Sequence, residues 1–194
     1  MSPRLDLAVI SSTISFMKPV LIALPLALTA TFAWADCPAP PDIADRETAF
    51  FAELQEAENE MQGQDINRKL WALWTEAPDE AAQALLDQGM SARRSFDFLR
   101  ATERFDRLVE YCPDYAEGYN QRAFVNFLRE DFDAALIDLD EALARSPRHV
   151  GALSGKALTL MGLGRDAEAQ AVLRDALELN PWIPERGLLQ GEEL

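Results

Sequence analysis

The residues able to do chemistry in this sequence are few. His149 is the single histidine. A base at His149 and a nucleophile at Ser154 would make a hydrolytic pair, but five residues apart at a helix start they do not share a face. His149 therefore reads as a side chain packed at a helix junction or exposed to solvent. No glycine-rich phosphate loop, G-x-S-x-G, H-E-x-x-H or C-x-x-C stretch occurs. The acidic runs DAALIDLDEAL and QEAENE read as solvated helix faces and lack the oxygen spacing of a calcium loop. Cys37 and Cys112 are the two cysteines, and with one histidine they make no structural zinc site. In an oxidising compartment they would form one disulfide, tying the N-terminal segment to the end of a helix; the alternative is two unpaired thiols. Neither an enzymatic activity nor a cofactor is expected. Binding is the chemistry that remains.

Charge narrows what could be bound. With 33 acidic and 18 basic side chains, the net charge is −15. Such a chain does not attract nucleic acid or anionic lipid by general electrostatics, and long-range attraction favours a cationic partner. Residues 19–35 (PVLIALPLALTATFAWA) follow Lys18 and end in Ala33-Trp34-Ala35, the pattern of a secretory leader with its cleavage site. Met17-Lys18 resembles the natural start of that leader, which would make residues 1–16 an extension ahead of it. An uncleaved anchor is disfavoured by the shortness of the apolar run, since a span needs about 20 residues, and by Pro19 and Pro25. A lipid anchor on Cys37 is disfavoured by Asp36 directly before it. The reading is an exported protein with no stable membrane insertion after cleavage.

The elements that would position a binding surface repeat. Pro113, Pro147 and Pro181 are each 34 residues apart. The same spacing relates Gly89, Ala123 and Ala157; Ala101, Ala135 and Ala169; Phe105, Leu139 and Leu173; Leu108, Ala142 and Ala176; and Leu85, Tyr119 and Leu153. Phe132, Ala135, Ala142 and Leu143 fall on one helical face, widened by Leu136 and Leu139. Small residues allow close helix approach, and each proline ends a helix. Asp131 and Asp166 place carboxylates at helix N-termini, and Gly164 provides a turn. One such unit cannot bury its apolar face alone, so the units must stack.

This register resembles the tetratricopeptide repeat (TPR) family over about half the chain. The units are 82–115, 116–149 and 150–183. The resemblance implies an all-α, right-handed superhelical α-solenoid of three helical hairpins. Repeat one departs at Gly89-Met90-Ser91, and repeat three has Asp166 where the others have Phe98 and Phe132. That change predicts a looser third unit or one packed by something else. Ahead of the repeats, Phe50, Phe51, Leu54 and Ala57 form one apolar stripe; Ile66, Leu70, Leu73 and Trp74 form another. With Gly63 between them and Pro78 after them, residues 45–78 read as a degenerate helical hairpin capping the N-terminal end of the solenoid. Residues 36–44 are proline-rich and extended, and 184–194 are a capping turn or a frayed tail.

The stretches AEGYNQRAFVNFLREDF (116–132) and PRHVGALSGKALTLMGLG (147–164) further resemble a group of exported bacterial TPR proteins. In the family the first helix of each repeat lines a concave groove that holds a protein or peptide. Carried onto this sequence, the groove comprises Leu86, Met90 and Arg93; Glu117, Asn120, Gln121, Phe124 and Phe127; and Ser154, Leu158 and Met161. Asn120 and Gln121 would hydrogen-bond a peptide backbone, and Phe124 and Phe127 would stack on its side chains or else only pack the groove floor. Asn120 and Arg122 have the alternative of bonding across the repeat junction, and Gly151 and Gly155 of permitting close packing. Leu86, Gly151 and Gly155 stand where a carboxylate-binding clamp needs basic residues, so no such clamp is expected. Two further readings remain: a self-associating envelope component, with the groove filled by its own tail, and a hydrolase or small-molecule binder. The oligomeric state and partner are not legible.

Overall fold

The computed structural model describes residues 36–191. The leader expected over 1–35 lies outside the described residues, as do 192–194. Eight α-helices run in order: α1 (Ala44–Glu56), α2 (Glu60–Trp74), α3 (Glu80–Arg94), α4 (Phe98–Tyr111), α5 (Ala116–Leu128), α6 (Phe132–Arg145), α7 (Val150–Gly162) and α8 (Asp166–Leu179). A short 3-10 turn, Pro184–Leu188, follows. The described residues contain no strand, so the all-helical expectation holds. None of these helices is long and apolar enough to cross a membrane.

The repeat register is visible in the backbone. Helix pairs α3–α4, α5–α6 and α7–α8 are the three hairpins. Each second helix ends at a residue with extended torsions just before its proline: Cys112, Ser146 and Asn180. A following proline disfavours helix at those residues. The turns inside the hairpins carry a left-handed residue at one register position, Phe96, Glu130 and Gly164, with φ of 59°, 60° and 69°. Only the third is glycine, so repeats one and two accept a conformation that costs a non-glycine residue about 1 kcal/mol. The next residue caps the second helix: Asp97 accepts from the Arg100 amide and Asp131 from the Ala134 amide. In repeat three Arg165 holds that position without a side-chain cap, and Asp166 adds its charge in the first turn. The first repeat begins two residues earlier than the 34-residue frame, because Asp79 caps α3 by accepting from the Ala82 amide at 2.8 Å.

The N-terminal hairpin departs from expectation in two ways. The helix break falls at Ala57–Asn59, where the Asn59 side chain accepts from the Gln62 amide; Gly63 lies inside α2. More consequentially, α1–α2 does not stack on repeat one. Phe51, Leu54, Ile66, Leu70 and Trp74 share a buried cluster with Val150, Leu153, Ala157, Leu173, Ala176 and Ile183 of repeat three. Repeat one has its own core of Ala82, Leu86, Ala101, Phe105 and Leu108, closed by Tyr115 and Val125. The hairpin is thus folded back on the C-terminal end of the array. Polar contacts fix it there: Gln55 donates to the carbonyls of Glu178 and Leu179, and the Trp182 indole donates to the Leu54 carbonyl. These contacts fall on α7 and on the C-terminal half of α8, whereas Asp166 at the start of α8 is exposed. The C-terminal turn is docked too, since Gln170 donates to the Leu188 carbonyl and accepts from the Gln190 amide.

Cys37 and Cys112 form a disulfide with a Cα–Cα distance of 5.1 Å. It ties the proline-rich segment before α1 to the end of α4, so the chain is closed on itself at both the disulfide and the hairpin.

Candidate functional site

Because α2 comes back beside α7, it forms a further wall beside the faces of α3, α5 and α7. With α2 and the turn after Ile183 these faces line a half-open cleft of about 520 Å³, within the range of roughly 300–1,000 Å³ usual for ligand sites. Met90 and Arg93 of α3, Asn120, Gln121, Phe124 and Phe127 of α5, and Ser154 and Leu158 of α7 all line it. These are eight of the eleven groove residues expected from the repeat register. The other three are elsewhere. Leu86 is fully buried in the core of repeat one, because α3 turns that face toward Phe105. Met161 packs against the cluster shared by repeat three and the N-terminal hairpin. Glu117 does not line the cavity and is 1% exposed; it acts from behind.

Glu117 organises the site. One carboxylate oxygen accepts from Asn120 Nδ2 at 2.9 Å and pairs with His149 Nε2 at 2.8 Å; the other accepts from Gln121 Nε2 at 2.5 Å. A carboxylate only accepts, so it takes the amide end of Gln121 and leaves the carbonyl oxygen buried without a partner. His149 is completely buried at the start of α7, where its Nδ1 accepts from the Ala152 amide. Its ring stacks on Trp74 at 4.1 Å and meets Trp71 edge-on at 5.9 Å. His149 is therefore the joint between α2, α5 and α7. No hydrogen bond links it to Ser154. Tyr115, one repeat earlier in register, donates to the Trp74 carbonyl at 2.8 Å; burial pushes its phenol well above the usual tyrosine range. The indole nitrogen of Trp74 donates in turn to Glu47, which pairs with Arg148 at 2.7 Å.

Arg122, the other junction candidate, is structural. It holds Asp138 through two bonds of 2.6 and 3.0 Å and Asp106 through one of 2.9 Å, tying α4, α5 and α6. Burial raises the Asp138 carboxyl above its ordinary value, while Arg122 draws it back. Phe127 tilts against Phe132 at 5.6 Å and is floor packing as well as lining. Phe124 is different: it is 44% exposed and lies under the Arg93 guanidinium at 4.3 Å.

Three polar atoms of the lining are unsatisfied. Gln121 Oε1, Ser154 Oγ and Thr159 Oγ1 have no hydrogen-bond partner, although their side chains are 3%, 7% and 0% exposed. Each such group costs about 1–3 kcal/mol if left unpaired. Arg93 forms no ion pair among the described residues. Burial pulls its guanidinium below the usual value, partly opposed by the charge of Glu117. Asn67, Trp71, Thr75, Thr159, Ile183, Pro184 and Glu185 also line the cavity and were absent from the expected set. Thr159 lies five residues after Ser154, about 140° around α7, so the groove register gave no reason to expect it. The α2 residues carry no repeat signal, because their place depends on the hairpin folding back. Among the described residues no group of three His, Cys, Asp or Glu side chains could hold a metal ion.

Comparison with known proteins agrees with the register. A family described as "Tetratricopeptide repeat" matches residues 127–182. A TPR repeat-containing protein of Rhizobium etli is 29% identical over 122 residues, 60% of this chain and 57% of that protein. Mouse tetratricopeptide repeat protein 36 is 30% identical over 122 residues, 60% of this chain and 65% of its own. The chain thus spans less than two thirds of these two relatives. The human tetratricopeptide repeat protein 36 is 30% identical over 140 residues, 70% of each chain. Among solved structures, the Arabidopsis OM64 TPR domain superposes with a TM-score of 0.55 at 22% identity, over 57% of this chain and 92% of that domain. The TPR2B domain of yeast Sti1, solved in a complex with pHsp70, gives 0.54 at 20%, over 57% and 91%. At such identities the structures speak to fold alone. From the 34-residue register, the three stacked hairpins and the human relative, the chain belongs to the tetratricopeptide repeat family.

Proposed function

We propose that this protein is an exported, non-catalytic TPR adaptor that holds a segment of a protein partner in the cavity between α2, α3, α5 and α7. The observation that carries this reading is a half-open cleft whose wall pairs the partly exposed Phe124 ring with an Arg93 guanidinium that forms no ion pair among the described residues. A segment of polypeptide supplies what such a wall needs: apolar side chains for Phe124 and Phe127, and hydrogen-bond acceptors for Arg93. The yeast Sti1 domain with its pHsp70 complex is a precedent of fold for such binding, although the cavity here is narrowed by α2. Export is supported by the leader pattern in residues 19–35 and by the Cys37–Cys112 disulfide, a bond that persists in oxidising compartments.

The test is co-purification from the compartment to which the chain is exported, comparing the wild type with Phe124→Ser and with Ile137→Ser. Both residues are exposed, and Ile137 on α6 is outside the cavity lining. Loss of a partner with Phe124→Ser and retention with Ile137→Ser is expected; equal loss or equal retention contradicts the reading. Fractionation that finds the chain only in the cytosol, with its leader intact by N-terminal sequencing, contradicts the export component.

A further inference from the structure

Stacked hairpins place their internal turns along one edge of the array, and repeat one makes that edge unlike its neighbours. Phe96 and Leu99, in and just after the α3–α4 turn, are 79% and 83% exposed, and Leu128, at the end of α5, adds a third exposed apolar side chain. Glu130 and Gly164 hold the register position of Phe96 in repeats two and three, and Asp133 and Ala167 hold that of Leu99. Phe96 also sits at φ 59°, which an aromatic residue disfavours and which glycine adopts freely in repeat three. Its ring meets Phe98 at 6.1 Å and otherwise lies largely in water. Strain kept at such a position points to a use outside the fold. Arginines flank the same edge. Arg94, Arg100 and Arg129 are exposed and form no ion pair among the described residues, although the chain carries 33 acidic side chains. Nearby carboxylates are engaged elsewhere: Asp97 and Asp131 accept from the amides of Arg100 and Ala134, and Glu103 faces Arg104 at 3.9 Å. Glu130 is the one carboxylate of these turns without such a partner among the described residues.

We propose that this edge is a peripheral docking surface for an anionic lipid bilayer. Phe96, Leu99 and Leu128 enter the headgroup boundary, and Arg94, Arg100 and Arg129 meet the lipid phosphates. Exposed apolar side chains flanked by unpaired cations complement the two layers of such a surface. None of these six residues lines the cleft, and a bilayer, unlike a folded partner, needs no matching cavity. A second copy meeting the edge across a two-fold axis would set arginines against arginines, because such a contact joins the same patch to itself. The net charge of −15 repels an anionic bilayer at range. Exposed charges more than about 8 Å apart are largely screened at physiological salt, so the side chains that touch the lipid decide the contact. Attachment by three side chains and three cations is reversible and distinct from a span. It goes beyond the adaptor reading and holds whether or not a partner enters the cleft.

The experiment is co-sedimentation of the full chain, as purified from cells, with vesicles of phosphatidylcholine alone or of equimolar phosphatidylcholine and phosphatidylglycerol. All variants share one N-terminus, so residues 19–35 contribute equally to each. The wild type is expected to bind the mixed vesicles and to bind phosphatidylcholine alone at least tenfold less, since each arginine near an anionic surface strengthens binding by about fivefold. Arg94→Gln and Arg100→Gln each weaken binding to the mixed vesicles by about fivefold and leave that to phosphatidylcholine unchanged. Phe96→Gly loses about tenfold, as expected for one aromatic side chain left in water. Its thermal melt matches or exceeds that of the wild type, because glycine already serves this turn in repeat three, so the loss is not one of folding. Ile137→Ser, at an exposed apolar residue on α6, leaves binding unchanged. Position is read separately: Phe96→Trp gains fluorescence that brominated lipid in the mixed vesicles quenches, and Ile137→Trp gains fluorescence that it does not. The proposal is overturned by absence of binding to the mixed vesicles or by equal binding to both compositions. Losses equal for Phe96→Gly and Ile137→Ser, or quenching no greater at 96 than at 137, overturn it as well. Loss of a co-purifying protein with Phe96→Gly, at unchanged vesicle binding, assigns the edge to a protein instead and also overturns it.

Discussion

Replacing His149 by alanine removes three interactions at once, and each has a magnitude. The ring caps α7 by accepting from the Ala152 amide at 3.2 Å; losing a cap costs about 1 kcal/mol. It stacks on Trp74 at 4.1 Å, and an aromatic pair contributes about 1 kcal/mol beyond its buried area. Its Nε2 pairs with the buried Glu117 at 2.8 Å; a hydrogen bond to a charged group contributes about 2 kcal/mol. Together they give about 4 kcal/mol for His149→Ala, a large share of the roughly 5–15 kcal/mol that holds a domain together. His149→Asn separates the parts. Asparagine is a good N-cap, so this variant keeps the α7 start and loses the stack and the Glu117 contact, for about 3 kcal/mol. The assay is urea unfolding followed by far-ultraviolet circular dichroism, comparing midpoints at constant slope. Near-ultraviolet dichroism reports whether Trp74 keeps its ordered environment. Variants that both unfold within 1 kcal/mol of the wild type would refute the reasoning, because His149 would then not be the joint of α2, α5 and α7. A His149→Asn cost equal to that of His149→Ala would remove the capping part alone.

The remaining predictions concern closure of the fold and its pH dependence. The disulfide spans a separation of 75 residues, for which chain entropy predicts a stabilisation of about 4.5 kcal/mol. Cys37→Ala should lower the urea midpoint accordingly, and an unchanged midpoint, or two titratable thiols in the wild type, contradicts the closure. At Gly151 an added Cβ would lie 2.6 and 2.7 Å from ring carbons of Trp71. Gly151→Ala should therefore destabilise by about 1 kcal/mol, since overpacking of about 1–3 kcal/mol outweighs the gain of about 0.5–1 kcal/mol in helix propensity; a stabilised variant shows that α2 does not press on α7. The Asp79 carboxyl is held below its ordinary value of 3.8, first by the Ala82 amide and then by the Tyr111 hydroxyl. A lowered folded pKa means stability that is present above pH 3.8 and lost as the pH falls through the lower folded value. Asp79→Asn should flatten that part of the acid unfolding curve and leave neutral stability less affected. An acid slope identical to that of the wild type contradicts the assignment.

What could be read from the sequence was what repeats. Pro113, Pro147 and Pro181 and their alanine and leucine companions fixed three hairpins, because the same side chains must meet at every stacked interface. The register also brought Met90, Arg93, Asn120, Gln121, Phe124, Phe127, Ser154 and Leu158 to one cavity. It failed where a feature occurs once. Leu86 occupies a groove position by count, but α3 turns it into the core against Phe105. Glu117 pairs inward because His149, one repeat away, offers it a nitrogen. The N-terminal hairpin shows the larger gap. Its apolar stripes were legible, but an amphipathic stripe says only that a face is buried, not against what. The partner choice lies in side chains with no period: Trp71 over Gly151, Trp74 on His149, Trp182 over Gly63. Phe96 and Glu130 hid a shared turn for the same reason, since only Gly164 advertises a positive φ.

The account turns on whether a partner enters the cavity beside Phe124. A photo-reactive benzoylphenylalanine placed at Phe124, and separately at Ile137 on α6, can be irradiated in intact cells and the adducts identified by mass spectrometry. The account predicts a reproducible protein adduct from position 124. Adducts from position 137 alone, or none from 124 while the chain is folded and at its native level, would contradict it.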